Sequence, residues 1–176
     1  FAVSFFPEGG SAIVGCNQRI AFKALAADGL SIEVKGEVVD DLGQKCALLQ
    51  SVHLGMGSFV LNYQAGRKYY AHCLAKNGAK QIFELPQPKE DAVGLAARWT
   101  GDFLRLSLLQ PAAESRQRPL TLVAQLRGLV LYANPWDYNQ PKITFERSFF
   151  PAGITHLMLI DDKKNIVSER LVFNMR

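Results

Sequence analysis

One stretch concentrates aromatic rings, amides and prolines: Tyr132-Ala133-Asn134-Pro135-Trp136-Asp137-Tyr138-Asn139-Gln140-Pro141. Its prolines and polar residues predict a loop. Exposed aromatics at a loop tip stack on sugars or anchor a partner protein, because a large ring offers contact area at small entropic cost. Tyr132, Trp136 and Tyr138 are therefore the candidate interaction residues. The competing reading is that Trp136 or Tyr138 folds back over the end of a β-sandwich.

Other residues capable of chemistry lack the company that chemistry requires. A metal site needs several His, Cys or carboxylate ligands to converge, whereas His53, His72 and His156 lie far apart in the chain. His72 adjoins Cys73, but neighbours on a strand point to opposite faces. Cys16, Cys46 and Cys73 show no Cys-x-x-Cys spacing and cannot all pair with one another. They read as small buried side chains, or as one disulfide plus one free thiol with the pair left open. Gly9-Gly10 runs into Ser11-Ala12-Ile13-Val14-Gly15, which reads as strand and not as the helix N-terminus of a phosphate cradle. Asp40-Asp41 and Asp161-Asp162 sit in turns, whereas paired catalytic carboxylates come from separate elements facing a cleft. There is no Gly-x-Ser-x-Gly and no His-Glu-x-x-His. These patterns predict no catalytic residue, no metal and no cofactor.

The elements around these residues repeat with a period of two. Ile20, Phe22 and Ala24 alternate with Arg19, Ala21 and Lys23, and Ile32, Val34 and Val38 with Glu33, Lys35 and Glu37. Phe59 and Leu61, Leu104 and Leu106, and Leu120 and Leu122 continue the pattern. Alternation sends one set to a core and the other to water. Leu157 to Ile160 is continuously apolar, as in a strand covered on both faces. Asp40-Asp41-Leu42-Gly43, Asn77-Gly78 and Asp161 to Asn165 are turn signals. One weak helical stretch, Glu90 to Ala97, is interrupted by Gly94. Many short strands between regular turns predict an all-β chain of two consecutive antiparallel immunoglobulin-like β-sandwiches. Phe173 is expected in the second core with Leu104, Leu106, Leu122, Leu157 and Leu159.

The 176 residues suffice for two such domains. Leu85-Pro86-Gln87-Pro88-Lys89-Glu90-Asp91 reads as their junction, because proline cannot donate to a sheet ladder. The expected domains are 1–85 and 86–176. The net charge is +4, with lysines and arginines scattered, so a nucleic-acid partner is not expected. No apolar run approaches the roughly 20 residues that span a bilayer as a helix. Phe1 to Pro7 reads as a strand from the first residue, with neither Met nor a basic leader region, as expected of a piece of a larger protein.

Phe5-Phe6-Pro7-Glu8-Gly9-Gly10 followed by Arg19-Ile20-Ala21-Phe22-Lys23-Ala24 resembles the opening of macroglobulin-like domains in bacterial envelope proteins. His53-Leu54-Gly55-Met56-Gly57-Ser58-Phe59 and Tyr69-Tyr70-Ala71 continue that resemblance. Pro151-Ala152-Gly153-Ile154-Thr155, Leu159-Ile160-Asp161 and Glu169-Arg170-Leu171-Val172-Phe173 look like the closing strands of a following domain of the same kind. Residues 86–150 match mainly by pattern. The resemblance implies scaffolding and interaction modules in a periplasmic, outer-membrane-associated or secreted protein. Covalently acting members carry a thioester in Cys-Gly-Glu-Gln, but in a different domain. The contexts Cys16-Asn17-Gln18, Cys46-Ala47-Leu48 and Cys73-Leu74-Ala75 do not fit that motif.

The expected function is thus a non-catalytic structural and interaction module of a larger cell-envelope protein. Its expected partners are neighbouring domains of the same parent and a protein or glycan ligand. The alternatives are a piece of a protease-trapping macroglobulin, or a carbohydrate- or peptide-binding accessory domain of an outer-membrane uptake system.

Overall fold

The structure is a computed structural model that describes residues 1–111, 117–140 and 142–175. The chain forms two compact units, Phe1–Glu90 and Asp91–Arg176. Among the described residues every regular element is a strand except a 3-10 turn at Arg147–Phe149.

In the first unit the strands are β1 (Ala2–Pro7), β2 (Asn17–Leu25), β3 (Val34–Asp40), β4 (Lys45–Gln50), β5 (Met56–Asn62), β6 (Tyr69–Ala75) and β7 (Lys80–Glu84). They form an antiparallel sheet of order β1-β2-β5 and another of order β4-β3-β6-β7. The alternating apolar sets face inward between these sheets. Ile20, Phe22, Val34, Val38, Phe59 and Leu61 are all buried in one cluster, as expected. Each such side chain contributes about 1.5–3 kcal/mol through removal from water. Two glycines permit the packing. A Cβ on Gly57 would overlap the Phe22 ring and Gln50 O, and one on Gly55 would sit 2.5 Å from Ala24 O.

Two polar devices lock this unit. The Tyr69 hydroxyl, at the head of β6, accepts the Gln64 backbone N–H at 2.9 Å. That bond pins the crossing from β5 to β6, the tyrosine-corner arrangement of immunoglobulin-like sandwiches. Gln18 is fully buried. Its amide donates to Glu8 O at 2.6 Å and Ser11 O at 2.7 Å, and its Oε1 accepts from Ile13 N at 3.1 Å. Ser11 to Gly15 is therefore a loop and not the expected strand. Gln18 satisfies there the backbone groups that a ladder would otherwise satisfy.

The prolines at 86 and 88 belong to the first unit. Lys89 N donates to Ala12 O at 2.9 Å and Val14 N donates to Lys89 O at 3.1 Å. The compact units accordingly divide after Glu90 and not after Leu85.

The second unit contains β8 (Gly94–Thr100), β9 (Phe103–Leu109), β10 (Leu120–Leu126), β11 (Leu129–Pro135), β12 (Ile143–Glu146), β13 (Gly153–Asp161) and β14 (Ile166–Asn174). Its sheets are β8-β9-β12 and β11-β10-β13-β14. The order matches that of the first unit strand for strand: first, second and fifth in one sheet; fourth, third, sixth and seventh in the other. The chain is thus two consecutive antiparallel immunoglobulin-like β-sandwiches.

Two expectations fail in this unit. The weak helical stretch ends in β8. Leu95 is fully buried there, and its N–H donates to Ser168 Oγ at 2.9 Å. Gly94 would cost a helix about 1 kcal/mol, whereas in the strand it pairs with Leu109. Phe173, expected in the core, is 58% exposed, while its neighbours Val172 and Asn174 point inward. Leu171-Val172-Phe173 is apolar in both phases, so alternation could not choose. Pairing with β13 sets the phase, with Phe173 beside Ile154 on the outer face. Leu104, Leu106, Leu122, Leu157 and Leu159 are buried as expected. Met158, on the outer face of β13, is also buried, as the apolar run 157–160 implied.

Candidate binding cleft

Tyr132 to Pro135 completes β11 and is not part of a loop. Pro135, which has no N–H, closes the strand. Trp136 then turns inward. Its backbone N–H donates to Leu120 O at 2.8 Å, and its side chain joins the second core at 6% exposure. Tyr132 is half-buried, edge-on to Phe145 with centroids 5.0 Å apart. Tyr138 lies in the turn from Asp137 to Gln140, where Asp137 Oδ1 accepts from Asn139 N at 2.9 Å. The Tyr138 hydroxyl donates to Arg118 O at 2.8 Å. Pro141 lies outside the described residues.

The expected exposed tip is corrected accordingly. None of the three rings is presented freely to solvent, because the sandwich end offers Trp136 an apolar wall and Tyr138 a carbonyl partner. Trp136 and Tyr138 do come together, however, as walls of an open cleft of about 380 Å³. Its other walls are Arg118 and Pro119 before β10, Pro135 at the end of β11, and Asp161, Asp162 and Lys164 at the β13–β14 turn. An adjoining hollow of about 310 Å³ shares Arg118, Pro119, Asp161 and Asp162 and adds Val93, Lys163 and Val167. Tyr132 is not among the residues lining either space.

Charge in this region is mixed. Asp161 Oδ1 accepts the Asn165 backbone N–H at 2.7 Å, and its Oδ2 accepts the Asn165 amide at 3.1 Å. Those bonds, with Lys163 nearby, hold its carboxyl below the usual carboxylate range. Asp161 therefore serves the turn. Asp162, Lys163 and Lys164 are exposed and present both signs of charge to a ligand. Sequence reading missed Arg118 and the acidic-basic turn as wall residues. No sequence signal joins them to Trp136, because register alone brings strand ends so far apart in the chain into one rim.

Elsewhere several reactive side chains have structural duties. Asp40 accepts backbone N–H groups from Leu42 and Gln44 and pairs with Arg67 at 2.5 Å. His156 Nε2 meets Glu169 Oε2 at 2.8 Å across the strands. Burial pushes the Cys73 thiol up to about 11 and raises that of Cys16, which disfavours the nucleophilic thiolate. The three cysteines are free thiols.

No protein-family model matches the chain, and no curated protein matches it. Among solved structures it is similar to one described as "Biofilm associated protein - BSP domain". That likeness has 11% identity and a TM-score of 0.39, covering 98% of this chain and 30% of that one. Another is "Central Fibronectin-III array of RIM-binding protein", at 9% identity and a TM-score of 0.30, covering 96% of this chain and 68% of that one. The chain thus spans under a third of the first of these.

Proposed function

We propose that this chain is a non-catalytic spacing and interaction module of a larger protein of the bacterial cell envelope, built from two macroglobulin-like sandwiches. The second sandwich would engage a protein or glycan at the cleft beside Trp136 and Tyr138. One observation supports this reading above the others: several side chains suited to acid–base or nucleophilic work are engaged in turns, a cross-strand pair or the core. Asp40 and Asp161 accept turn amides, His156 pairs with Glu169, and Cys73 is buried in the first core. The cleft itself combines a half-buried tyrosine with charges of both signs on strand-end turns, which suits recognition of a polar ligand.

The test is a glycan- and peptide-array screen of the purified chain, repeated with Asp162→Ala and Tyr138→Phe. Asp162→Ala should weaken a true ligand about tenfold at an unchanged melting temperature, as loss of one charge-assisted contact does. Substrate turnover that Asp162→Asn abolishes would overturn the reading.

A further inference from the structure

One turn pattern recurs along the chain, and a single copy of it holds a reactive pair. In residues 26–30, 40–44, 75–79 and 161–165 the first residue's N–H donates to the fifth residue's O, at 2.8, 3.0, 2.9 and 3.0 Å. The fourth residue's N–H donates back to the first residue's O, at 3.0, 3.0, 2.9 and 3.1 Å. That fourth residue is left-handed each time: Gly29, Gly43, Gly78 and Lys164 have φ of 81°, 79°, 87° and 68°. The pattern is that of a three-residue hairpin loop ending in a left-handed position. The third residue differs: Asp28, Leu42, Asn77 and Lys163. Only at Asn77-Gly78 does a carboxamide precede a glycine, in these turns or elsewhere in the sequence.

That pair reacts in water without a catalyst. The Gly78 backbone nitrogen, once hydroxide has taken its proton, attacks Asn77 Cγ. A bond forms between them, the Cγ–Nδ2 bond breaks, and the amide nitrogen leaves with a proton as ammonia. Water then opens the cyclic imide. Cleavage at Cγ gives aspartate. Cleavage at the backbone carbonyl carbon gives isoaspartate, whose main chain runs through the side chain.

Three features of this turn favour the attack. Asn77 and Gly78 are exposed, so hydroxide and water reach them. Gly78 has no side chain to shield its nitrogen, and nothing lies within 4 Å of where a Cβ would stand. Ala79 N–H donates to Asn77 Oδ1 at 3.1 Å. That oxygen gathers negative charge when Cγ is attacked, so the N–H serves as an oxyanion donor. One feature opposes the attack: Gly78 N–H is held by Ala75 O at 2.9 Å and has to leave it first. Exposed hairpin tips are where such local opening costs least.

The other asparagines stand before Gln18, Tyr63, Pro135, Gln140, Ile166 and Met175. Each of those side chains crowds the nitrogen behind it, and Pro135 has no N–H to lose. Asp28-Gly29 repeats the geometry, with Leu30 N–H donating to Asp28 Oδ1 at 3.0 Å. A carboxylate, however, is a poorer electrophile than a carboxamide.

We infer that Asn77 is a site of spontaneous modification, at which the folded protein converts a neutral amide into aspartate and isoaspartate. The new carboxylate arises beside Lys76 and Gly78, which line a hollow of about 380 Å³ with Lys35 and Ser51. The modification therefore adds negative charge at that rim. This goes beyond the module reading above and depends neither on it nor on the cleft of the second unit.

Prolonged incubation of the intact chain at mildly alkaline pH, followed by peptide mapping with mass spectrometry, tests it. The peptide holding Asn77 should gain the mass difference between an amide and an acid and split into two forms, while the other six asparagines persist. Conversion should quicken as pH rises, because hydroxide frees the attacking nitrogen. Gly78→Lys installs the residue type that Lys164 supplies at the same left-handed position of the second unit. Conversion should then fall to the level of the other asparagines, with melting temperature reporting that the variant is folded. Survival of Asn77 in the folded chain, under conditions where the urea-unfolded chain converts, would overturn the proposal. So would a Gly78→Lys chain that converts as fast as the parent. Aspartate formed without isoaspartate would also overturn it, since direct hydrolysis needs no neighbouring nitrogen.

Discussion

Gln64 and Tyr69 are joined by one hydrogen bond that fixes how the chain passes from one sheet to the other. The Gln64 backbone N–H donates to the Tyr69 hydroxyl at 2.9 Å, and the Tyr69 ring stands edge-on to Tyr63 at 5.1 Å. Tyr69→Phe keeps the ring contact and removes only the acceptor. It should cost about 0.5–1.5 kcal/mol in urea unfolding. A loss below the error of the measurement would mean the corner is held by packing alone.

Gln18 carries more. Its side chain satisfies Glu8 O, Ser11 O and Ile13 N in a loop that has no ladder of its own. Gln18→Leu preserves the volume and strands those groups, so it should destabilise the chain by about 2–4 kcal/mol. Amide exchange should accelerate first at Ile13, the donor that loses its acceptor. Uniform acceleration across the unit would argue for global unfolding instead.

Trp136 is predicted to act through stability. Its side chain lies in the second core at 6% exposure, so Trp136→Ala should lower unfolding free energy by about 3–5 kcal/mol. Ligand affinity measured on the folded fraction should change less than it does in Asp162→Ala. The opposite ranking would restore the indole as a binding anchor.

Asp161 gives the acid limb of the stability curve a testable component. Its folded-state pKa is depressed, chiefly by the Asn165 backbone hydrogen bond. A depressed carboxyl contributes stability above its unfolded value of about 4, and that contribution is lost as pH falls through the folded pKa. Asp161→Asn should therefore lower the melting temperature at pH 7 and converge with the parent chain as pH falls through the depressed folded-state value. A constant gap between the two at every pH would assign the effect to geometry and not to charge.

Much of the architecture was legible in the order of residues. Ile20, Phe22, Phe59 and Leu61 alternate with Arg19, Lys23, Ser58 and Asn62 on the opposite phase, and such a period of two has one face to bury. Asp40 and Asp161 announced their turns because a short carboxylate can accept nearby backbone amides in few other settings. Tertiary structure decided what local pattern left degenerate. Phe173 and Val172 are both apolar, so only pairing with β13 could choose which faced the core. Ser11 to Gly15 has the composition of a strand, and the side chain of Gln18, turned back onto Ser11 and Ile13 once buried, made it a loop. Trp136 was visible as a large ring beside prolines, but its direction depended on a wall built by strands far along the chain. Leu48, Glu37, His72 and Ile82 become neighbours only through cross-strand register, which is set by long-range pairing and core burial rather than by the residues beside each of them.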